Sequence, residues 1–180
     1  MKEIRIHARA GQGAITTANI LGEAYFLKGM YAYAFPHFGA ARMGAPMNAF
    51  VKVDNKPVRI RSQIYEPNFV IIVDSTIMRN INCLAGLKDD GVAVINQREG
   101  VAIPKARLKQ RIFVVPANKI AQETIGRPLG NTALLGAYAA ATGEIDLEIL
   151  QKAIKSRFTG KRQEGNLEAV RQGFEFVKNK

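Results

Sequence analysis

Apolar and polar residues alternate at the start of the chain (Ile4, Ile6, Ala8). They then recur at three- and four-residue steps from Ala14 (Ala14, Ala18, Leu21, Tyr25). The first period predicts a strand, the second a helix over residues 14–28 with Gly29 as its C-cap. Residues 31–35 predict a second strand, and residues 36–46, with Gly39, Gly44 and a proline at each end, a loop. Alternation returns over 47–53 as a strand, and Asp54-Asn55-Lys56 signals a hairpin turn into a further strand over 57–61. Residues 69–73 (Phe-Val-Ile-Ile-Val) form an unbroken apolar run, the signature of a strand buried on both faces.

Downstream, the pattern predicts a helix over 77–87, buried strands over 92–95 and 112–115, and a helix over 117–125. Asn131 is placed as the N-cap of an Ala- and Leu-rich helix to Ala141, and Asp146 as the cap of a helix to about Phe158. A basic linker over 159–163 then leads to a last amphipathic helix over 164–178. Strands alternating with helices imply a Rossmann-like, three-layer α/β fold with a mainly parallel sheet and one antiparallel hairpin. The expectation is a single domain over 1–180, with a helical C-terminal segment from about residue 144.

The length of 180 residues supports a real core, and the 47% apolar content is that of an ordinary globular protein. No apolar run reaches the length of a membrane span, and the opening Met-Lys-Glu-Ile-Arg-Ile lacks the apolar stretch of a signal peptide, so the expectation is a cytoplasmic protein. One cysteine, Cys83, excludes an internal disulfide, a self-contained iron–sulfur cluster and a Cys-based zinc site. Two histidines, His7 and His37, cannot make a His-rich metal site. Cys83 reads as a core or interface residue within the 77–87 pattern. The net charge of +11 is spread along the chain and suits an acidic partner subunit, a phosphorylated ligand or a nucleic acid. No nucleic-acid-binding motif accompanies it, and the aromatics lie among apolar residues, not basic ones.

The richest chemistry lies between His7 and Ala18. A strand that turns through Gly11 and Gly13 into a helix leaves a row of backbone N–H groups without intrahelical partners, and with the helix dipole these attract an anion. Arg9 adds charge at the turn. The third glycine of a dinucleotide fingerprint is replaced by Thr16, and no acidic residue follows at the spacing of a ribose contact, which opposes an NAD site. Gly11 and Gly13 could equally serve tight turning and packing alone. In a parallel sheet, ligands sit beyond the carboxyl ends of the strands. The 9–13 turn, the 35–46 loop and the strand end at Asp74–Thr76 are therefore expected to meet. Arg42, with no acidic neighbour in sequence, can grip a phosphate or carboxylate, or pair with an acid on another subunit. Asp74 can cap the next helix or face a ligand; His37 reads as a packing or hydrogen-bonding residue. No nucleophile–base arrangement emerges, so no catalytic residue is assigned.

Several segments in order resemble one family. These are Arg9 with Gly11-Gln12-Gly13-Ala14, then Ala34-Phe35-Pro36 with Phe38-Gly39 and Arg42-Met43-Gly44-Ala45-Pro46. Arg59-Ile60-Arg61-Ser62, the strand from Pro67 to Asp74, and Asn131-Thr132-Ala133-Leu134-Leu135-Gly136-Ala137 follow. The chain resembles the gamma subunit of the 2-oxoacid:ferredoxin or acceptor oxidoreductases, such as pyruvate:ferredoxin oxidoreductase. The resemblance implies a share in a larger enzyme that converts a 2-oxoacid to acyl-coenzyme A and carbon dioxide. Pyruvate is the default substrate, with branched-chain, 2-oxoglutarate and aryl 2-oxoacids such as phenylglyoxylate open. It also implies that thiamine diphosphate, Mg2+ and [4Fe-4S] clusters sit on alpha-, beta- and delta-type partners, and that electrons leave to ferredoxin or another acceptor. Carried onto this chain, Arg9, Gly11, Gln12, Gly13 and Arg42 become candidate contacts for the phosphates of coenzyme A. A stand-alone NAD(P)-binding oxidoreductase is the alternative, and a nucleic-acid-binding module a third reading.

Overall fold

Six strands hydrogen-bond in the order β2-β3-β1-β4-β5-β6. They are β1 (Lys2–Arg9), β2 (Tyr31–Phe38), β3 (Pro46–Asp54), β4 (Phe69–Ile72), β5 (Val92–Asn96) and β6 (Arg111–Val115). The computed structural model describes residues 1–38 and 42–180. The β1/β4, β4/β5 and β5/β6 pairs are parallel, while β3 runs antiparallel to both β1 and β2. This is the expected α/β architecture, with the antiparallel element in a different place. The strand expected over 57–61 does not form, because both edges of β3 are already taken, by β2 and β1. The true hairpin partner is β2. It runs on to Phe38, past the expected end at residue 35, and tolerates Pro36 because it is an edge strand.

Among the described residues, five helices cover one face: α1 (Ala14–Leu27), α2 (Ala117–Ile125), α3 (Asn131–Thr142), α4 (Leu147–Arg157) and α5 (Gly160–Lys178). Ile4, Ile6 and Ala8 of β1, Val51 of β3, Ile71 of β4 and Val94 of β5 meet Leu21, Leu134, Tyr138, Ile154 and Val170 in one large core. Burying each of these isoleucines, leucines and valines contributes about 1.5–3 kcal/mol. The α3–α5 contact is backbone on backbone. A Cβ on Gly136 would lie 1.9 Å from the Val170 carbonyl oxygen, and one on Gly173 would lie 2.0 Å from that of Ala133. No other residue type fits either position. α5 starts at Gly160, so the expected linker over 159–163 is the beginning of the helix.

The other face is covered by irregular chain. The helix expected over 77–87 is instead a short 3-10 turn, Ser75–Arg79, followed by further turns. The cause is Arg5, a buried arginine of β1. It donates to the carbonyl oxygens of Cys83 and Ala85, which a helix would use internally, and to those of Ile64 and Tyr65. Gly86, at φ 72°, sits against the Tyr65 carbonyl and completes the break. Cys83 is buried as expected, and burial pushes its thiol up to about 11. Under this layer Val70, Ile72, Ala93 and Ile95 form a smaller core.

Candidate functional site

The strand order reverses direction around β1, whose chain neighbour β2 lies to one side while β4 lies on the other. The carboxyl ends of β1 and β4 therefore flank the crevice where open α/β sheets bind ligands. Two of the three segments expected to meet do so there, together with residues 42–45 of the third; Gly39 lies outside the described residues. Ala10 N–H donates to the Ala45 carbonyl, and Gly44 N–H to that of Ala10, stitching the second segment onto the glycine turn.

Within this crevice the polar side chains serve the turn. Gln12 accepts from the Arg9 N–H at 2.9 Å and donates to Asp74 Oδ2 at 2.7 Å. Asp74 is buried; it accepts from the Thr76 N–H and hydroxyl and so caps the 3-10 turn, as one of its two readings required. Burial alone would raise the Asp74 carboxyl, but the bonds from Gln12 and Thr76 outweigh it and hold the carboxyl below its usual range. Arg9 lies 3.4 Å from Asp74 and donates to Thr76 Oγ1 and the Gly44 carbonyl. Arg9 and Gln12 thus brace the turn. Arg42 is exposed, and its carbonyl accepts from the Ala45 N–H. His37 faces Gln63 at 3.2 Å, in keeping with a hydrogen-bonding role.

Gly11 and Gly13 have φ of 94° and 81°, conformations that a side chain disfavours. Gly13 is the N-cap of α1 and has no side chain to bond the free N–H groups of the first turn. These glycines form one wall of a cavity of about 380 Å³, within the usual range of small-molecule sites. Its other polar walls are Gln12, Thr16, Arg127, Asn131, Arg162 and Asn166, and Ile125, Leu129 and Phe158 supply an apolar side. No carboxylate lines it among the described residues. Arg42 and Arg9 do not line it.

Three of these groups escaped the sequence reading. Asn131 is not the cap of α3. That position belongs to Gly130, where a Cβ would strike the Ala117 backbone at 2.6 Å. Asn131 opens the helix instead, with its Nδ2 3.0 Å from where a Gly13 Cβ would lie. It is only 8% exposed, and its side chain makes no hydrogen bond among the described residues. Arg127 follows the C-cap Gly126 of α2, and Arg162 lies in the first turn of α5. The legible signal was the run Gly160-Lys161-Arg162, whose cations stand where a helix dipole repels them. A helix start read at 164 concealed it.

Comparison with known proteins fits the fold. The family profile "Pyruvate ferredoxin/flavodoxin oxidoreductase" matches residues 3–176. The chain is 47% identical over 178 residues to the pyruvate/ketoisovalerate oxidoreductases common subunit gamma of Pyrococcus abyssi, covering 97% of this chain and 96% of that one. It is 47% identical over 156 residues to pyruvate synthase subunit PorC of Methanosarcina barkeri, covering 87% and 86%. The crystal structure of the pyruvate oxidoreductase subunit PORC of Thermotoga maritima superposes with a TM-score of 0.81 at 34% identity, covering 97% of this chain and 95% of that one. The chain belongs to the pyruvate ferredoxin/flavodoxin oxidoreductase family, as one of its gamma-type subunits.

Proposed function

We propose that this chain serves a multi-subunit enzyme that oxidatively decarboxylates a 2-oxoacid, pyruvate by default, to acyl-coenzyme A and carbon dioxide. Branched-chain, aryl and 2-oxoglutarate substrates fit the same role, since the oxoacid pocket belongs to other subunits. The electrons leave to ferredoxin or another acceptor. Thiamine diphosphate with Mg2+, and [4Fe-4S] clusters, supply the carbanion and electron-transfer chemistry from the alpha-, beta- and delta-type partners. This chain's own part is to help hold coenzyme A. The observation that carries this reading is the braced turn from Arg9 to Gly13 at the carboxyl end of β1, with the unbonded N–H groups of α1 behind it. Gly11 and Gly13 would offer backbone N–H groups to the phosphates. Gln12 and Arg9 would keep that backbone in place, and Arg42 would add charge from the adjoining loop.

The test is reconstitution. The isolated chain should reduce no dye with any 2-oxoacid and coenzyme A. It should co-purify from its native host with larger, cluster-containing chains, and its removal should raise the apparent KM for coenzyme A or abolish turnover. Turnover by the chain alone, or isolation as a solitary monomer, would overturn the reading.

A further inference from the structure

On the face of the sheet that no helix covers, the chain between β5 and β6 lies against the turns that follow Ser75–Arg79. The stretch from Pro104 to Lys109 is exposed throughout and holds Lys105, Arg107 and Lys109 with no carboxylate among them. None of these cations forms an ion pair among the described residues, although Asp89 and Asp90 directly follow Lys88, whose carbonyl Gln110 holds. At the tip of the stretch Leu108 is 80% exposed and has φ 51°. It alone among the described non-glycine residues adopts a positive φ, where glycine or asparagine is the ordinary choice. The tip is held firmly. The Gln110 N–H donates to the Arg107 carbonyl and its Oε1 accepts from the Arg107 N–H, while its Nε2 donates to the carbonyls of Leu87 and Lys88. Beside the tip, a groove of about 430 Å³ opens between residues 78–84 and 102–104, lined by Met78, Ile81, Leu84 and Ile103. Arg79 ties its two walls by donating to the Gly100 carbonyl at 3.3 Å.

Neither local conformation nor packing within the chain accounts for a leucine at this tip. A leucine held rigidly outward between cations is an apolar anchor, and a pre-ordered anchor spares the cost of ordering it on contact. Apolar surface ringed by unpaired cations complements a protein face that carries carboxylates around an apolar pocket. Residues 97–110 contain no aromatic side chain on which a base could stack, which favours protein over nucleic acid. The apolar groove favours a lasting subunit contact over a brief encounter. We infer that this connector and groove seat an acidic face of a larger chain of the same complex. Leu108 enters an apolar pocket on that chain, Lys105, Arg107 and Lys109 meet the carboxylates around it, and an apolar side chain of the partner fills the groove. The inference rests on the reading of the chain as one part of a multi-subunit enzyme, and adds where the attachment lies.

The test uses the complex from the native host, with wild-type or variant chain. A zero-length carbodiimide crosslinker joins a lysine amine to a carboxylate in contact with it, and mass spectrometry of the products should show Lys105 or Lys109 linked to an aspartate or glutamate of a larger chain. Native mass spectrometry over a dilution series then gives the dissociation constant of this chain from the complex. The triple variant Lys105→Glu/Arg107→Glu/Lys109→Glu should raise it about a hundredfold, and Leu108→Gly, which suits the backbone but removes the anchor, about tenfold. Leu108→Met should stay within about threefold. The same reversal at the exposed Lys152, Lys155 and Arg157 of α4 should also stay within about threefold, which separates the connector from net charge. Thermal melting of the released chain reports folding. A folded triple variant that assembles like the wild type, equal release by the α4 reversal, or crosslinks to a second copy of this chain alone would overturn the inference and leave the multi-subunit reading standing. Protection of the connector by added RNA or DNA in place of a protein chain would overturn it too. A wild-type chain that co-purifies with no other would overturn both.

Discussion

Arg5 and Arg162 both occupy positions where an arginine is unfavourable, one beneath the sheet and one in the first turn of a helix, and they differ in what their donors meet. Arg5 gives its guanidinium to four carbonyl oxygens and to His7 Nε2 at 3.1 Å. Every direction is filled by the chain's own irregular layer, so nothing remains for a ligand. Arg162 and its neighbour Arg127 face open space beside an unpartnered amide. Positive charge alone therefore does not distinguish one position from another in a chain of net charge +11; what the donors meet does.

The largest effect is expected at the filled arginine. Arg5→Met should strip the partners from buried carbonyls and lower stability by about 3–5 kcal/mol in urea unfolding, while Arg127→Met stays within about 0.5 kcal/mol. Similar losses in the two would erase the distinction. Gly136→Ala acts on the ligand side by forcing α3 off α5. A loss of about 2–3 kcal/mol is expected, with faster amide exchange in both helices and little change in the layer around residues 57–67.

His7 tests the Arg5 side by pH. Burial, then the charge of Arg5, lowers His7 to about 3 from 6.5. The unfolded chain thus binds a proton that the folded one refuses. The neutral ring's contribution is complete above pH 6.5 and is lost as pH falls toward 3. Between pH 6.5 and 5.5, above the carboxylate range, stability should drop by about 1 kcal/mol, and His7→Gln should flatten that slope. An unaltered slope would mean that His7 does not titrate against Arg5. The smallest effect is expected at Arg42, where Ala should raise KM for coenzyme A about threefold, more than that for the oxoacid. Equal effects, or none, would make Arg42 structural.

Periodicity identified most of the helices and all four strands of the parallel set, but β6, expected to be buried, is the edge of the sheet with only Val115 buried. It failed where a single long-range contact decided the matter. The 77–87 pattern is helical in spacing, yet Arg5, distant in sequence, withdraws the carbonyls that a helix needs. The 57–61 stretch alternates like a strand, but no free sheet edge awaits it beside β3. For the site, the glycine turn was legible because its residues are contiguous. Arg127, Asn131 and Arg162 come from three helix ends that only the packing brings together.

The backbone crossing of α3 and α5 ties mechanical stiffness to the shape of the cavity. Asn131 lies five residues before Gly136, about 7.5 Å along the axis, and Arg162 projects from the other member of the crossing. The two helices act as levers sharing one fulcrum, so a wedge as small as a methyl group there would be transmitted to the mouth of the cavity. Variants that loosen the pivot should consequently reshape that mouth without touching any residue that lines it.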